Sequence, residues 1–404
     1  MFNKDILFGL VQISDLSEID KICQKLDMPR KNLKEYLSGK FPLGKDQEKL
    51  LEYLKIDINF LKLIYGKIDQ NLTDLLVSNA QNIYSTIKYE EKAKKIEKLT
   101  PDYKTELGEL YQEDCLTVLK SIESDSIDLV FADPPFNLSK IYPSNMDDNL
   151  PEHEYILWTE EWLNECIRVL KPGGNLFVWN LPKWSTYTAN YLNKYLTFKH
   201  WIAVDVKYSL PIKGRLYPSH YGLLYYVKGD KSNTFQPDRL QMNTCPHCFK
   251  ETKDYGGYKA KMNPLGISMS DVWLDISPVR HSKYKKRKDS NELSIKLLDR
   301  IIELGSKEGD IILDPFGGSG STYAVCELKN RKWIGCELGP IEQIVDRLEN
   351  IEDERPLLNK YRAEVNCLFH DKVRSERKKR QQWLPEDFME ENTEKTIELS
   401  LKLI

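Results

Sequence analysis

The stretch G-D-I-I-L-D-P-F-G-G-S-G-S-T-Y-A-V-C-E-L-K-N-R-K-W-I-G-C-E-L-G, residues 309 to 339, decides the fold. Ile311-Ile312-Leu313 reads as a buried strand and Gly317-Gly318-Ser319-Gly320 as a turn. Thr322 to Leu328 starts a helix, and Trp333 to Cys336 forms a second strand that ends at Glu337. Together they make one βαβ unit. Glycines in the turn permit positive φ and let the backbone approach a ligand closely, while an acid ending the second strand can accept hydrogen bonds from both hydroxyls of a ribose. Glu337 stands twenty residues after Gly317, the separation of nucleotide-type cofactor folds. The plainer reading is a tight turn with no ligand; strand, turn, helix, strand and acid in that order favour the cofactor.

The same residues narrow the choice of cofactor. A dinucleotide fingerprint needs G-x-G-x-x-G, but here Asp314-Pro315-Phe316 precedes the glycines and no third glycine follows at the required place. A P-loop is excluded because no Gly-Lys-Ser/Thr follows. An adenosine-bearing cofactor without phosphates remains, which is S-adenosylmethionine.

Outward from this unit, the chain from about residue 108 alternates short apolar strands with helical stretches, the pattern of an α/β domain. Strands are expected at 108-111, 127-132, 175-180, 201-207, 222-227, 310-314 and 332-336, with a helix from Tyr155 to Leu170 ended by the KPGG of residues 171 to 174. The strand at 127-132 runs straight into Asp133-Pro134-Pro135-Phe136-Asn137. In an open α/β sheet ligands sit at the carboxyl ends of the strands, so Asp133 is expected on the same rim as the glycine turn. An exocyclic amino group on a base is a poor nucleophile because its lone pair is delocalised into the ring. A carboxylate and a main-chain carbonyl that accept its two N–H bonds would bias the nitrogen toward tetrahedral geometry and free that lone pair. Asp133 supplies the first acceptor, and the carbonyl of Pro134, held by two successive fixed φ angles, the second. Phe136 would stack on a base that has left its duplex. A proline-stopped strand with a capping Asp is the plainer alternative for these residues taken alone.

ADPPFN together with LDPFGGSGST resembles the amino-methylating DNA methyltransferases, the family of adenine-N6 and cytosine-N4 enzymes. The catalytic motif comes first and the cofactor motif about 180 residues later, an order that resembles the family's beta group. The likeness spans about residues 108 to 345. It implies an α/β fold, the Rossmann-like sheet of S-adenosylmethionine-dependent methyltransferases in circularly rearranged form, with a helical N-terminal domain. It assigns Asp133, Pro134, Pro135 and Phe136 to catalysis. Asp114, in LYQEDCL, matches the acid beside the adenine ring of the cofactor. Asp314, Pro315, Phe316, Gly317, Gly318, Ser319 and Gly320 match the loop on the methionine side, and Glu337 the ribose acid. One departure is that KDSNELSIKLL stands where many relatives have H-P-T-Q-K-P, so contacts made by that His or Lys have no counterpart; a helix from Leu293 to Leu304 is still expected there. Asp-Pro-Pro resembles the adenine enzymes, whereas Ser-Pro-Pro is the commoner cytosine-N4 form, so adenine is favoured and cytosine N4 is the alternative.

The family places its target-recognition region between the two motifs, and residues 183-290 fill that slot. Tyr208, Tyr217, Tyr221, Tyr255, Tyr258, Trp273 and Tyr284 interleave there with Lys and Arg, as expected where phosphates are neutralised and bases stacked. RHSKYKKRK, residues 280 to 288, has six Lys or Arg and no acid, and Arg280, Lys283, Lys285, Lys286 and Arg287 are expected to hold the DNA backbone, a solvated loop being the alternative. Cys245 and Cys248 have half the spacing of a zinc site, but no second C-x-x-C exists and no metal is expected.

The full division expected is a helical domain over 1-95, a catalytic half over 96-182, the insertion over 183-290, a cofactor half over 291-345 and a charged helical tail over 346-404. Within the first, residues 19 to 61 resemble the helix-turn-helix of phage-repressor-like proteins: a helix ends near Leu26, Asp27-Met28-Pro29 turns, and a second helix from about Arg30 to Leu37 would present Arg30, Lys31, Asn32 and Lys34 to DNA. A helical oligomerisation domain is the other reading.

The 404 residues are 41% hydrophobic and 30% charged, the balance of a globular protein and not of a disordered one. No apolar run approaches the ~18 residues of a membrane span, and the N-terminus carries acids where a secretion signal would be basic then apolar. Eight cysteines, mostly scattered singly, suit a reducing compartment, so a cytoplasmic protein is expected. The partners implied are double-stranded DNA, a cognate restriction endonuclease and a second copy of the chain. A DNA-binding regulator that keeps the fold without turnover and an RNA methyltransferase are the competing functions.

Overall fold

The computed structural model describes residues 4–11, 19–86, 99–138, 149–205, 213–214, 216–242, 263, 265–276, 292–382 and 384. The chain divides into two compact units, Met1–Lys95 and Ile96–Ile404.

The first unit is helical. Ile19–Leu26 and Arg30–Leu37 bury Ile22, Leu26, Leu33 and Leu37 in a core shared with Leu7, Leu50 and Leu61. The turn between them places Asp27 at φ +45° and buries Met28. Of the four residues expected to face DNA, Arg30 pairs with Asp20 at 3.1 Å and Asn32 donates to Asp46 at 2.9 Å, while Lys31 and Lys34 are exposed. Tyr36 donates to the same Asp46 carboxylate, so that acid fastens the second helix to the helix Lys45–Leu54.

The second unit is built on a nine-stranded sheet. Its strands in chain order are β1 (Tyr103–Lys104), β2 (Gly108–Tyr111), β3 (Ile127–Ala132), β4 (Leu170–Asn180), β5 (Thr197–Asp205), β6 (His220–Val227), β9 (Val272–Trp273), β10 (Ile311–Asp314) and β11 (Lys332–Cys336). A separate ribbon pairs β7 (Arg239–Leu240) with β8 (Ile267–Ser268). The order across the sheet is β1-β2-β11-β10-β3-β4-β6-β5-β9. β2, β11, β10, β3 and β4 are mutually parallel, whereas β6 runs antiparallel to both of its neighbours. Strands covered on both faces carry apolar residues at every position. Leu129 and Phe131 of β3 accordingly join one core with Phe177, Ile301 and Trp333, while Val130 and Ala132 join the other with Trp162, Leu163 and Val178.

Helices close both faces. Glu152–Val169 buries Tyr155, Thr159, Trp162, Leu163, Cys166 and Val169, a single stripe at helical spacing, and has Glu152 and Glu154 in its first turn where the helix dipole favours acids. It ends at Val169, one residue short of the expected Leu170, which instead opens β4 together with KPGG. Ile295–Gly305 and Ser321–Leu328 pack on the opposite face, and Gly335 has no room for a side chain because a Cβ there would meet the Tyr323 ring at 2.2 Å.

The expected segments after residue 95 fall within one compact unit. Within the segment 183-290, β6 pairs with β4 and β5 with β6, which extends the sheet toward one edge. The segments 96-182 and 291-345, expected as two halves of one domain, interleave in one sheet, β10 and β11 lying between β2 and β3. The tail after 345 is part of the same unit, with Arg347, Leu348, Leu358, Leu368 and Phe369 buried. Among the described residues, no helix is long and apolar enough to cross a membrane.

Candidate active site

The carboxyl ends of the adjacent parallel strands β2, β11, β10 and β3 deliver Asp114, Glu337, the 314–320 turn and Asp133–Phe136 in that order along one rim. The sheet therefore brings together two motifs separated by 181 positions in the chain, because β10 pairs directly with β3 at Leu313↔Val130.

Asp114 caps the helix Cys115–Ser121, accepting from the amide of Leu116 at 2.9 Å, and is half-buried. The Glu337 carboxylate accepts from Gly318 N through Oε2 and from Gly339 N through Oε1, both at 2.8 Å. Each oxygen keeps further acceptor capacity, since a carboxylate offers about four lone-pair sites.

The glycine turn is shaped by its neighbours. Gly318 and Gly320 sit at φ +54° and +73°, where L side chains are strained. A Cβ on Gly317 would collide with the Tyr323 hydroxyl at 2.8 Å and the Cys336 carbonyl at 2.9 Å, whereas one on Gly318 would project into open space, 3.9 Å from its nearest neighbour. The space above the turn at Gly318 is open, with the Glu337 carboxylate at its side.

Asp314 faces inward at the base of the turn. Both its oxygens are used inside the protein, by Phe316 N and by the Thr322 hydroxyl, and it is buried beneath the turn. Burial pushes its carboxyl up to about 7, the two hydrogen bonds opposing that rise. Asp314, the last paired residue of β10, therefore supports the loop from within the sheet. Pro315 accepts from the Cys336 thiol at 3.0 Å. Phe316 packs edge-on against Trp162 at 5.2 Å and beside Trp158 at 5.8 Å. Ser319 is buried, its hydroxyl 3.1 Å from that of Ser321.

At the end of β3, Asp133 and Pro135 are half-buried and Pro134 is buried. Phe136 is 8% exposed and stands 5.9 Å from Tyr221, which in turn stacks on Trp179 at 4.8 Å. Phe136 thus stands at the end of a run of three aromatic rings. Trp273, expected among the residues that face DNA, is 2% exposed, with the Arg300 guanidinium 5.0 Å from its ring, and belongs to the core. Tyr217 is exposed. Arg280, Lys283, Lys285, Lys286 and Arg287, the pair Cys245 and Cys248, and Tyr208, Tyr255, Tyr258 and Tyr284 lie outside the described residues. No group of three or more His, Cys, Asp or Glu side chains suited to a metal occurs among the described residues.

A family model described as DNA methylase, of the N6/N4 methyltransferase type, matches residues 127–346. The chain belongs to the N6/N4 DNA methylase family. It is 47% identical over 382 residues to the Type II methyltransferase M.BamHI of Bacillus amyloliquefaciens, covering 93% of this chain and 90% of that one. It is 34% identical to the Type II methyltransferase M.HpaI of Haemophilus parainfluenzae, over 58% of this chain and 72% of that one. The DNA adenine methyltransferase YhdJ of Escherichia coli (strain K12) is 32% identical over 56% of this chain and 76% of its own. As a member of this DNA methylase family, the protein uses S-adenosylmethionine as its methyl donor.

Sequence reasoning missed four side chains that shape this DNA methylase site. Tyr155 and Trp184 bond the carbonyls of Pro135 and Phe136, and Trp158 and Trp162 flank Phe316. It also missed Arg347, whose guanidinium reaches Ser319 and Ser321 from the helix Glu342–Glu349. The helical stripe from Tyr155 was legible; no signal in the sequence says that its first member faces the motif loop.

Proposed function

We propose that this protein methylates the N6 amino group of adenine at a specific site in duplex DNA, as the protecting half of a restriction-modification system. The observation that carries the reading is the placement of Asp133-Pro134, at the end of β3, beside the glycine turn that ends the neighbouring β10. Bound S-adenosylmethionine supplies a methyl group activated by its sulfonium. The chain's own part is to present that group with a nucleophile. Asp133 and the Pro134 carbonyl would accept the two N–H bonds of the flipped base, and fixed acceptors of this kind act without reorganising during the reaction. Phe136 and Tyr221 would offer the aromatic surface against which the base rests. Glu337, Asp114 and Gly318 would hold the donor.

Adenine is favoured because the motif is Asp-Pro-Pro and because one relative is named as an adenine enzyme. Cytosine N4 presents two N–H groups to the same two acceptors and is the second reading, which the absence of a hydroxyl on Phe136 leaves open. The Type II relatives support the link to restriction. The test is to incubate the protein with duplex DNA and labelled donor, digest to nucleosides and separate them by mass spectrometry. N6-methyldeoxyadenosine is expected. N4-methyldeoxycytidine would replace the adenine reading, and no methylated nucleoside from duplex DNA would overturn both.

A further inference from the structure

Proline has no N–H, so Asp133-Pro134-Pro135-Phe136 cannot be secured through amide donors at its two central positions. Carbonyl oxygens are the handles that remain. The carbonyl of Pro134 has to stay open for the base, and no donor to it occurs among the described residues. The next two carbonyls are both taken. Tyr155, in the first turn of Glu152–Val169, donates its hydroxyl to Pro135 O at 2.6 Å. Trp184, in the helix Pro182–Leu192, donates Nε1 to Phe136 O at 2.7 Å. The two rings touch, with centroids 4.5 Å apart, and the residues are 3% and 5% exposed. Asn180, the last residue of β4, donates its amide to the Tyr155 hydroxyl at 3.4 Å.

We infer that Tyr155 and Trp184 are positioning residues for methyl transfer: they fix the loop through the two carbonyls the base does not use, and so set where the Asp133 carboxylate and the Pro134 carbonyl stand. The anchors belong to two different helices and are locked by packing, so neither follows the loop if it drifts. The residues proposed to hold the donor come from the ends of β2, β10 and β11, whereas the two anchors come from helices. The consequence is a loss in the chemical step that leaves donor binding intact. This inference rests on the reading of Asp133 and Pro134 as the acceptors.

The experiment uses the full chain, with Tyr155→Phe, Trp184→Phe and Asp133→Ala compared to the unaltered protein in single-turnover methyl transfer at saturating donor and DNA. Tyr155→Phe keeps the ring and removes only the anchoring hydroxyl. A fall of about 10-fold to 100-fold in the transfer rate constant is expected for each anchor variant, the scale of an ångström's misplacement. KM for donor and for DNA should stay within about twofold, since ground-state binding does not use the anchors. A transfer rate unchanged in both anchor variants would overturn the inference, as would a rise in donor KM that accounts for the whole effect. Full transfer by Asp133→Ala would instead sink the assignment of the motif, a result separable from the other two.

Discussion

Arg347 donates from Nη1 to the carbonyl of Ser319, 2.9 Å away, in the middle of the glycine turn. The same guanidinium reaches the Ser321 hydroxyl at 2.7 Å, forks onto both oxygens of Glu354 at 2.7 and 2.8 Å, and pairs with Glu292 at 3.1 Å. All three charged groups are buried. One side chain thus ties the donor loop to the segment before Ile295–Gly305 and to the short helix Ile351–Glu354.

Replacing Arg347 by Met should therefore do two things. Removing one partner of a buried, hydrogen-bonded ion pair costs about 3–5 kcal/mol, because the remaining charges lose their compensation. Urea denaturation should register that loss. Calorimetric titration should show donor binding weakened further than in a surface variant of equal stability, because the turn loses its support at Ser319.

Glu337→Gln should weaken donor binding, through the donor contact and through the loop that the carboxylate holds. The carboxylate accepts from two loop amides, and an amide side chain would set an N–H against one of them. Hydrogen bonds to charged groups are worth about 1.5–3 kcal/mol, so the donor dissociation constant should rise about 10-fold to 100-fold. Transfer at saturating donor should change far less. Equal donor affinity in the variant would remove Glu337 from the site.

Asp314 predicts a pH dependence. Burial raises its folded-state value to about 7, above the ordinary carboxylate value of 3.8. The folded protein then holds this proton more tightly than the unfolded chain does, so the group's contribution is intact at acid pH and is lost as pH rises from about 4 through 7. Denaturant unfolding of the wild type between pH 5 and 7.5, compared with Asp314→Asn, should reveal a downward slope that the variant lacks. Parallel curves would show that Asp314 does not titrate in that window.

Asp275 predicts the opposite sense. Burial pushes its carboxyl up, but Arg300, at 2.8 and 2.6 Å, and Lys296, at 2.8 Å, outweigh burial and hold it far below the usual range. Stability from this cluster is present above the ordinary carboxylate value and is lost as pH falls below it. Asp275→Asn should cost about 1.5–3 kcal/mol at neutral pH, as expected when bonds to a charged group are lost. The penalty should shrink toward pH 3, as followed by thermal melting across that range.

Much of the site was legible because its chemistry is written in short, contiguous residue patterns. Asp133-Pro134-Pro135-Phe136 follows an apolar run, and Gly317 to Gly320 follows another, so both turns and their places at strand ends could be read from local rules alone. The strand at 332-336 and the helices at Ile19–Leu26 and Arg30–Leu37 stand where the apolar spacing put them. The inward turn of the Asp314 carboxylate, onto Phe316 N and the Thr322 hydroxyl, was not legible because it depends on the side of the turn that the side chain faces. That β5 and β6, within residues 183-290, pair onto β4 depends on contacts between distant strands, which no local pattern selects.

The amino-acid order by itself determined that two motifs exist, that each ends a buried strand, and that the cofactor carries no phosphate. Such features depend on residues close together in the chain, where backbone sterics and side-chain alternation act directly. Only the tertiary structure decided that β10 lies beside β3, that Tyr155 and Trp184 hold the carbonyls of Pro135 and Phe136, and that Arg347 braces Ser319. These partners are 20 to 48 positions apart, and the two strands far more. Nothing local selects them; they meet because burying both faces of one sheet leaves each side chain a single set of neighbours.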